Sequence, residues 1–214
     1  MAKRQSKVRT TWDSNLAYVV GVIASDGNLS PDLRHLNITS LDYEMIQNCK
    51  NCLGISNKIG KKSRGGSKDK KYFVLQFGDK NFFDFLLSIG LTPKKSLTLG
   101  PLKIPQKYYF DFLRGCIDGD GNISVSKHPE SKNIQLRIRL CSGSITFLEW
   151  VHLMNIKYGK ITGGYFQKSK RSSVYLLSYG KCDSMTLLLR LYYDINVVCL
   201  NRKREIVEKY AGVA

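Results

Sequence analysis

Two aspartates are the side chains in this sequence best placed by type and spacing to do chemistry. Asp26 lies in Gly21-Val22-Ile23-Ala24-Ser25-Asp26-Gly27-Asn28-Leu29-Ser30, and Asp120 lies in Gly115-Cys116-Ile117-Asp118-Gly119-Asp120-Gly121-Asn122-Ile123-Ser124. Gly21 matches Gly115 and Asp26 matches Asp120 at the same offset of 94 residues, and both segments read Gly-x-Ile-x-small-Asp-Gly-Asn-apolar-Ser. A lone Asp-Gly is usually a turn or a cap. Two of them, each closing a glycine-bearing helix, point to a pair of carboxylates brought together. Such a pair repels unless a proton or a cation lies between its members. A divalent cation resolves the repulsion, because hard ions such as Mg²⁺ take carboxylate and phosphate oxygens. Metals held in this way can stabilise the attacking and leaving oxygens of a phosphodiester cleavage. Asp118 has Ala24 as its counterpart, so it reads as a supporting or structural residue.

The elements that must position this pair can be read from periodicity. Leu16, Val19, Val20 and Ile23 fall at i, i+3, i+4 and i+7, and Phe110, Leu113 and Ile117 repeat that spacing. Both segments are therefore helical, about 14–25 and 108–119. Each carries small residues, Gly21 and Ser25 or Gly115 and Gly119. Glycine costs about 1 kcal/mol in a helix interior, and matched glycines imply that the two helices approach closely on a pseudo-twofold axis. The glycine after each aspartate is read as a left-handed helix stop. After each motif come a polar loop and then a strand, Leu36 to Thr39 or Ile134 to Cys141. Next are a helix at about 42–53 or 145–157 and a basic hairpin near 57–63 and 72–78, or 159–167 and 174–180. A closing helix follows at about 80–89 or 183–193, and a further helix spans about 202–211. The expected fold is α+β, with two pseudo-symmetric α-β-β-α-β-β-α halves and antiparallel sheets. Residues 1–98 form one half and 108–214 the other. The Pro- and Gly-bearing segment 99–107 is the linker.

Composition points to the partner class. The 214 residues carry 34 Lys+Arg against 17 Asp+Glu, a formal net charge of +17. Such a surplus captures polyanions, and phosphate neutralisation with counterion release makes nucleic acid the first expectation. No apolar stretch approaches the roughly 18–20 residues needed to span a bilayer. The basic N-terminus is not followed by an apolar h-region and does not read as a secretory signal. The six cysteines are scattered, several in apolar runs, and read as reduced core residues of an intracellular protein. Cys49-Lys50-Asn51-Cys52 has no second pair, and His35, His128 and His152 are far apart, so a four-ligand zinc site is not expected.

In these two motifs and their spacing, the sequence resembles the LAGLIDADG homing endonuclease family. The nine-residue signature falls on Val19–Gly27 and, closer to consensus, on Leu113–Gly121. The likeness extends over nearly the whole chain, because the element order after each motif also fits. It implies a monomer whose two sheets form a saddle over double-stranded DNA. It further implies metal-dependent cuts of both strands across the minor groove of a long, near-asymmetric site, leaving 3′ overhangs. Asp26 and Asp120 would be catalytic metal ligands, with Gly27 and Gly121 beside them in the metal site. Mg²⁺ is the implied metal, Mn²⁺ an alternative, and Ca²⁺ an ion that binds without supporting efficient cutting. A basic residue near each active site is also implied, and Lys95 and Lys203 match best, against a plainer reading as solvated surface lysines. The first motif departs from the family at Val19-Val20 and at Ala24. A maturase or regulator on the same fold, with RNA among its ligands and no DNA cleavage, is the alternative.

The DNA-facing residues follow from alternation. Ile134, Leu136, Ile138 and Leu140 alternate with Gln135, Arg137 and Arg139, giving one apolar and one basic face. Arg can pair bidentately with guanine and Gln with adenine in a major groove. The matching face of the first half shows His35, Asn37 and Thr39. The hairpins add Lys61, Arg64, Gln76, Gln167, Lys168, Lys170 and Arg171, the basic tips being expected to contact phosphate.

Overall fold

The computed structural model describes residues 6–63, 69–127, 134–170 and 172–211. The first half runs α1 (Ser14–Asp26), β1 (Gly27–Leu29), β2 (His35–Ser40), α2 (Tyr43–Leu53), β3 (Ile59–Lys62), β4 (Tyr72–Gly78) and α3 (Lys80–Ser88). Two 3₁₀ turns, Lys95–Leu97 and Gln106–Tyr108, lead to the second half. That half runs α4 (Tyr109–Asp120), β5 (Gly121–Lys127), β6 (Ile134–Ser142), α5 (Ile145–Gly159), β7 (Tyr165–Lys168), β8 (Tyr175–Tyr179) and α6 (Lys181–Leu191), and α7 (Asn201–Ala211) follows it. The sheets are antiparallel and have the same topology, β1-β2-β4-β3 and β5-β6-β8-β7. The expected α+β architecture of two pseudo-symmetric halves is what the chain adopts.

Helix α1 starts where Asp13 accepts a hydrogen bond from the Leu16 amide at 2.7 Å, satisfying one of the unpaired N–H groups of the first turn. It is buried from Leu16 to Ala24 on every side, more than one apolar face would require, because α4, α2 and β2 all pack around it. The α1–α4 crossing explains the matched glycines. A β-carbon on Gly21 would lie 2.0 Å from the Phe112 carbonyl oxygen, and one on Gly115 would lie 2.0 Å from that of Tyr18. The backbones touch, and only glycine fits at either position.

Across this crossing the Tyr18 hydroxyl donates to Asp118 at 2.9 Å. Arg114, fully buried on α4, donates to Asp111, to the Leu191 carbonyl and to the Val198 carbonyl at 2.7–2.8 Å. A buried cation is tolerable only when paired and hydrogen-bonded in this way. The start of α7 also reaches the first half, where Arg202 pairs with Asp42 at 3.1 Å and the Asn201 amide donates to Glu44.

Several sequence expectations are corrected. Gly27 and Gly121 do not end their helices in the left-handed conformation. Their φ values are −79° and −100°, both extended, so each helix runs straight into a strand. Glycine is needed there because a β-carbon would strike the Ile23 carbonyl at 2.7 Å or the Ile117 carbonyl at 2.6 Å. The residues read as a polar loop after each motif include β1 and β5. The seventh strand begins at Tyr165 rather than near 159, since α5 continues to Gly159 and Lys160 caps it with φ 58°. All six cysteines are reduced, but Cys182 is exposed rather than in the core.

Candidate active site

Each aspartate is the last residue of its helix, and the helix crossing brings the two ends to one place. Asp26 and Asp120 line a single open cleft of about 740 Å³, with Ser25, Asn28, Asn37, Thr39, Lys62 and Ser96 among its other walls. Gly119 keeps room for the pair. A β-carbon there would fall 2.0 Å from Ser25 Oγ and 2.7 Å from Asp26 Oδ2.

Among the described residues no group of three or more His, Cys, Asp or Glu side chains forms a closed metal cage. The acidic pair in a polar, open cleft fits a different kind of site. Mg²⁺ keeps several waters and is typically held by one or two carboxylates plus substrate phosphates. The space beside Asp26 that glycine preserves is compatible with that donor set. The backbone of Gly27 and Gly121 has another partner, which revises its expected part in the metal site. The Gly27 carbonyl accepts from Lys95 Nζ at 2.5 Å and the Gly121 carbonyl from Lys203 Nζ at 2.9 Å. A cation on either oxygen would lie against an ammonium group, so the carboxylates are the better donors.

Lys95 and Lys203 are not solvated surface lysines. They are 5% and 3% exposed. Lys203 Nζ also donates to the carbonyls of Ile117 and Asp118, so its ammonium caps the C-terminal end of α4, where the helix dipole favours positive charge. Burial pulls the pKa of Lys95 down to about 8 against the opposing attraction of Asp120 and Asp26. Burial likewise pulls Lys203 to about 8, with Asp118 the strongest opposing charge. Lys94 holds a left-handed φ of 58° immediately before Lys95. For a residue with a β-carbon that conformation costs about 1–3 kcal/mol, and here it turns the chain so that Lys95 enters the core.

Asp118 has the supporting role expected of it. Burial raises its pKa, while Tyr18 and the Leu200 amide donate to its Oδ2 at 2.9 Å each. It pins α4 to α1 and to the segment before α7.

The remaining predicted residues fall on two faces. Cross-strand register places His35, Asn37, Thr39 and Gln76 on the open face of the first sheet. Gln135, Arg137 and Arg139 alternate with buried Leu136, Ile138 and Leu140 on β6 and take the open face of the second sheet, as Gln167 does on β7. His35 is tied back to Asp32, Nδ1 to Oδ2 at 2.5 Å. Lys61 and Lys168 lie on the other face. Lys61 is registered with Phe73 and sits 5.3 Å from its ring centroid, and Lys168 is registered with Tyr175 at 5.5 Å. The strand alternation gives the open face to their neighbours Lys62 and Gln167. Lys170 is exposed after β7. Arg64 and Arg171 lie outside the described residues.

Sequence reasoning gave no site role to Asn28 or Ser25, and read Lys62 only as a basic residue of the hairpin tip. Asn28 was legible, because the Asp-Gly-Asn of the repeat puts an asparagine directly after each motif, at 28 and 122.

Solved structures share this architecture. The fold matches that of I-DmoI in complex with DNA and Ca at a TM-score of 0.60 and 15% identity, over 90% of this chain and 96% of that one. It matches the I-LtrWI LAGLIDADG homing endonuclease bound to target DNA at 0.57 and 10% identity, over 92% and 88%. It also matches full-length DUF199/WhiA from Thermatoga maritima at 0.58 and 12% identity, over 98% and 73%. The chain is therefore a LAGLIDADG-fold protein, with both halves of the fold in one polypeptide. No protein-family model matches its sequence, and no curated protein matches it.

Proposed function

We propose that this chain is a site-specific DNA endonuclease of the homing type, acting as a monomer. In this reading Asp26 and Asp120 hold Mg²⁺, or Mn²⁺ in its place, and the metal supplies activation of water and stabilisation of charge on the cleaved phosphate. Ca²⁺ supports binding with little cutting. Lys95 and Lys203 hold the ends of the motif helices and place positive charge behind the carboxylates. The open faces of the two sheets contact a long, near-asymmetric duplex, and the cuts fall across the minor groove and leave 3′ overhangs. Residues 1–98 and 108–214 act as the two half-site readers, joined by 99–107. The observation that carries this reading is the acidic pair in one cleft at the ends of helices that touch at Gly21 and Gly115.

The fold is also shared with WhiA, which favours a second reading: a nucleic-acid-binding regulator or maturase that does not cut DNA. Incubation with a pooled duplex library in Mg²⁺, in Ca²⁺ and in EDTA, followed by sequencing of cut ends, separates the two. Double-strand cuts in Mg²⁺ alone, lost in Asp26→Asn and in Asp120→Asn, are the expected result. Salt-sensitive binding with no cutting of any enriched site would replace the nuclease reading with the second one, and RNA would then be the ligand to try.

A further inference from the structure

The open faces of the two sheets differ in a way that bears on which DNA each prefers. In the first sheet Asn28 is registered with Asn37, and Asn37 with Gln76. That is an unbroken row of three amides beside the acidic cleft, and Asn28 and Asn37 form part of the cleft wall. The pseudo-symmetric row of the second sheet is Asn122, Arg139 and Ser178, because Gly27 pairs with Ile38 where Gly121 pairs with Leu140. One step further from the cleft, Arg137 is registered with Ser124. Among the described residues, the side chains of Asn37, Gln76, Arg137 and Arg139 make no intramolecular hydrogen bond or ion pair, so their polar ends remain available to a ligand.

Resting on the DNA-site reading above, we infer that the two half-sites differ in base type: the first sheet selects adenine where the second sheet selects guanine. An amide donates and accepts side by side, matching N6 and N7 of adenine, whereas a guanidinium offers only donors, matching O6 and N7 of guanine. The amide row holds no cation to satisfy guanine's two acceptors. Arg137 and Arg139 are two residues apart, about 6.8 Å along the strand, which is about two base-pair steps of 3.4 Å when the strand follows the groove. The second half-site therefore carries two guanines about two base pairs apart. The inner one lies at the distance from the centre at which the first half-site carries adenine.

The test is selection of a randomised duplex library by the full chain in Ca²⁺, repeated with Arg139→Gln. Adenine in one half-site and the guanine pair in the other is the expected result. Arg139→Gln should exchange the inner guanine for adenine, a change in preference of about tenfold or more, and leave the outer guanine as a control for folding. Enriched sites with guanine in neither half, or with guanine at matching positions of both, would overturn the inference and leave the DNA-site reading intact. Selection of the parental bases by Arg139→Gln would overturn it in the same way. Failure to enrich any sequence would remove the DNA-site reading, and the inference with it.

Discussion

Replacing Gly115 with alanine tests the helix crossing on which the acidic pair depends. A β-carbon there would lie 2.0 Å from the Tyr18 carbonyl oxygen, whereas an unstrained C···O contact is about 3.3 Å. The obstacle is backbone, which cannot rotate away, so the helices must part by about 1 Å at that point. Overpacking of this kind costs about 1–3 kcal/mol, and a backbone clash belongs at the upper end. Alanine offsets about 1 kcal/mol of that through its better helix propensity. A net loss of about 1–2 kcal/mol should lower the urea midpoint by roughly 0.5–1 M at a typical slope of about 2 kcal/mol/M. The displacement also carries Asp120 away from Asp26, and a misplacement of about 1 Å can cost about 100-fold in rate. Urea unfolding followed by circular dichroism and a single-turnover cutting assay measure the two effects. A variant as stable as the parent, or more stable by the helix-propensity increment, would refute the close-approach argument. Gly21→Ala meets the Phe112 carbonyl at the same 2.0 Å and should behave alike.

Gly119→Ala should separate stability from activity. Its β-carbon would meet Ser25 Oγ and Asp26 Oδ2, which can move, and also the Ser25 β-carbon at 2.8 Å, which is fixed to the backbone. About 1 kcal/mol of stability should therefore be lost while, on the proposed nuclease reading, cutting should fall sharply. Lys95→Met and Lys203→Met keep the side-chain length and remove a buried ammonium. On the proposed nuclease reading each should lower the cutting rate while DNA affinity in Ca²⁺ changes little, and a large loss of affinity with an unchanged rate would count against their placement behind the carboxylates. Asp79 caps α3 at the Phe82 amide and accepts from the Lys7 and Val8 amides. Asp79→Ala should cost about 1–2 kcal/mol or more and release the segment around Val8, as read by proteolysis. Burial opposes ionisation of this carboxylate, but the amide hydrogen bonds outweigh it and hold its pKa below the ordinary 3.8. The stability it contributes is therefore present above the ordinary value and is lost as pH falls through the lower folded value. Urea unfolding of Asp79→Ala should accordingly show a flatter pH dependence than the parent below about pH 4.

The local rules of helix and strand made much of this molecule readable in advance. A period of 3.6 residues marked α1 and α4, alternation marked the two faces of β6, and the 94-residue offset exposed the repeat with its glycines and aspartates. The two periodicities depend on neighbours a few positions away, and the repeat needs only comparison of the chain with itself, which is why they survive in sequence. Other features depend on where distant segments meet. In sequence, Lys95 and Lys203 stand in basic runs that by themselves look like solvated surface, yet their ammonium groups are buried on backbone carbonyls across separations of 68 and 86 residues. The glycines after each aspartate signalled a stop, but pairing of Gly27 with Ile38 and of Gly121 with Leu140 made them the first, extended residues of strands. Within Lys61-Lys62, only the register of β3 against β4 decided which lysine faces the cleft. Chemical type and local periodicity were set by the sequence; burial, facing and partnership were set by the path of the chain through space, because the energies that decide them come from contacts no short window contains.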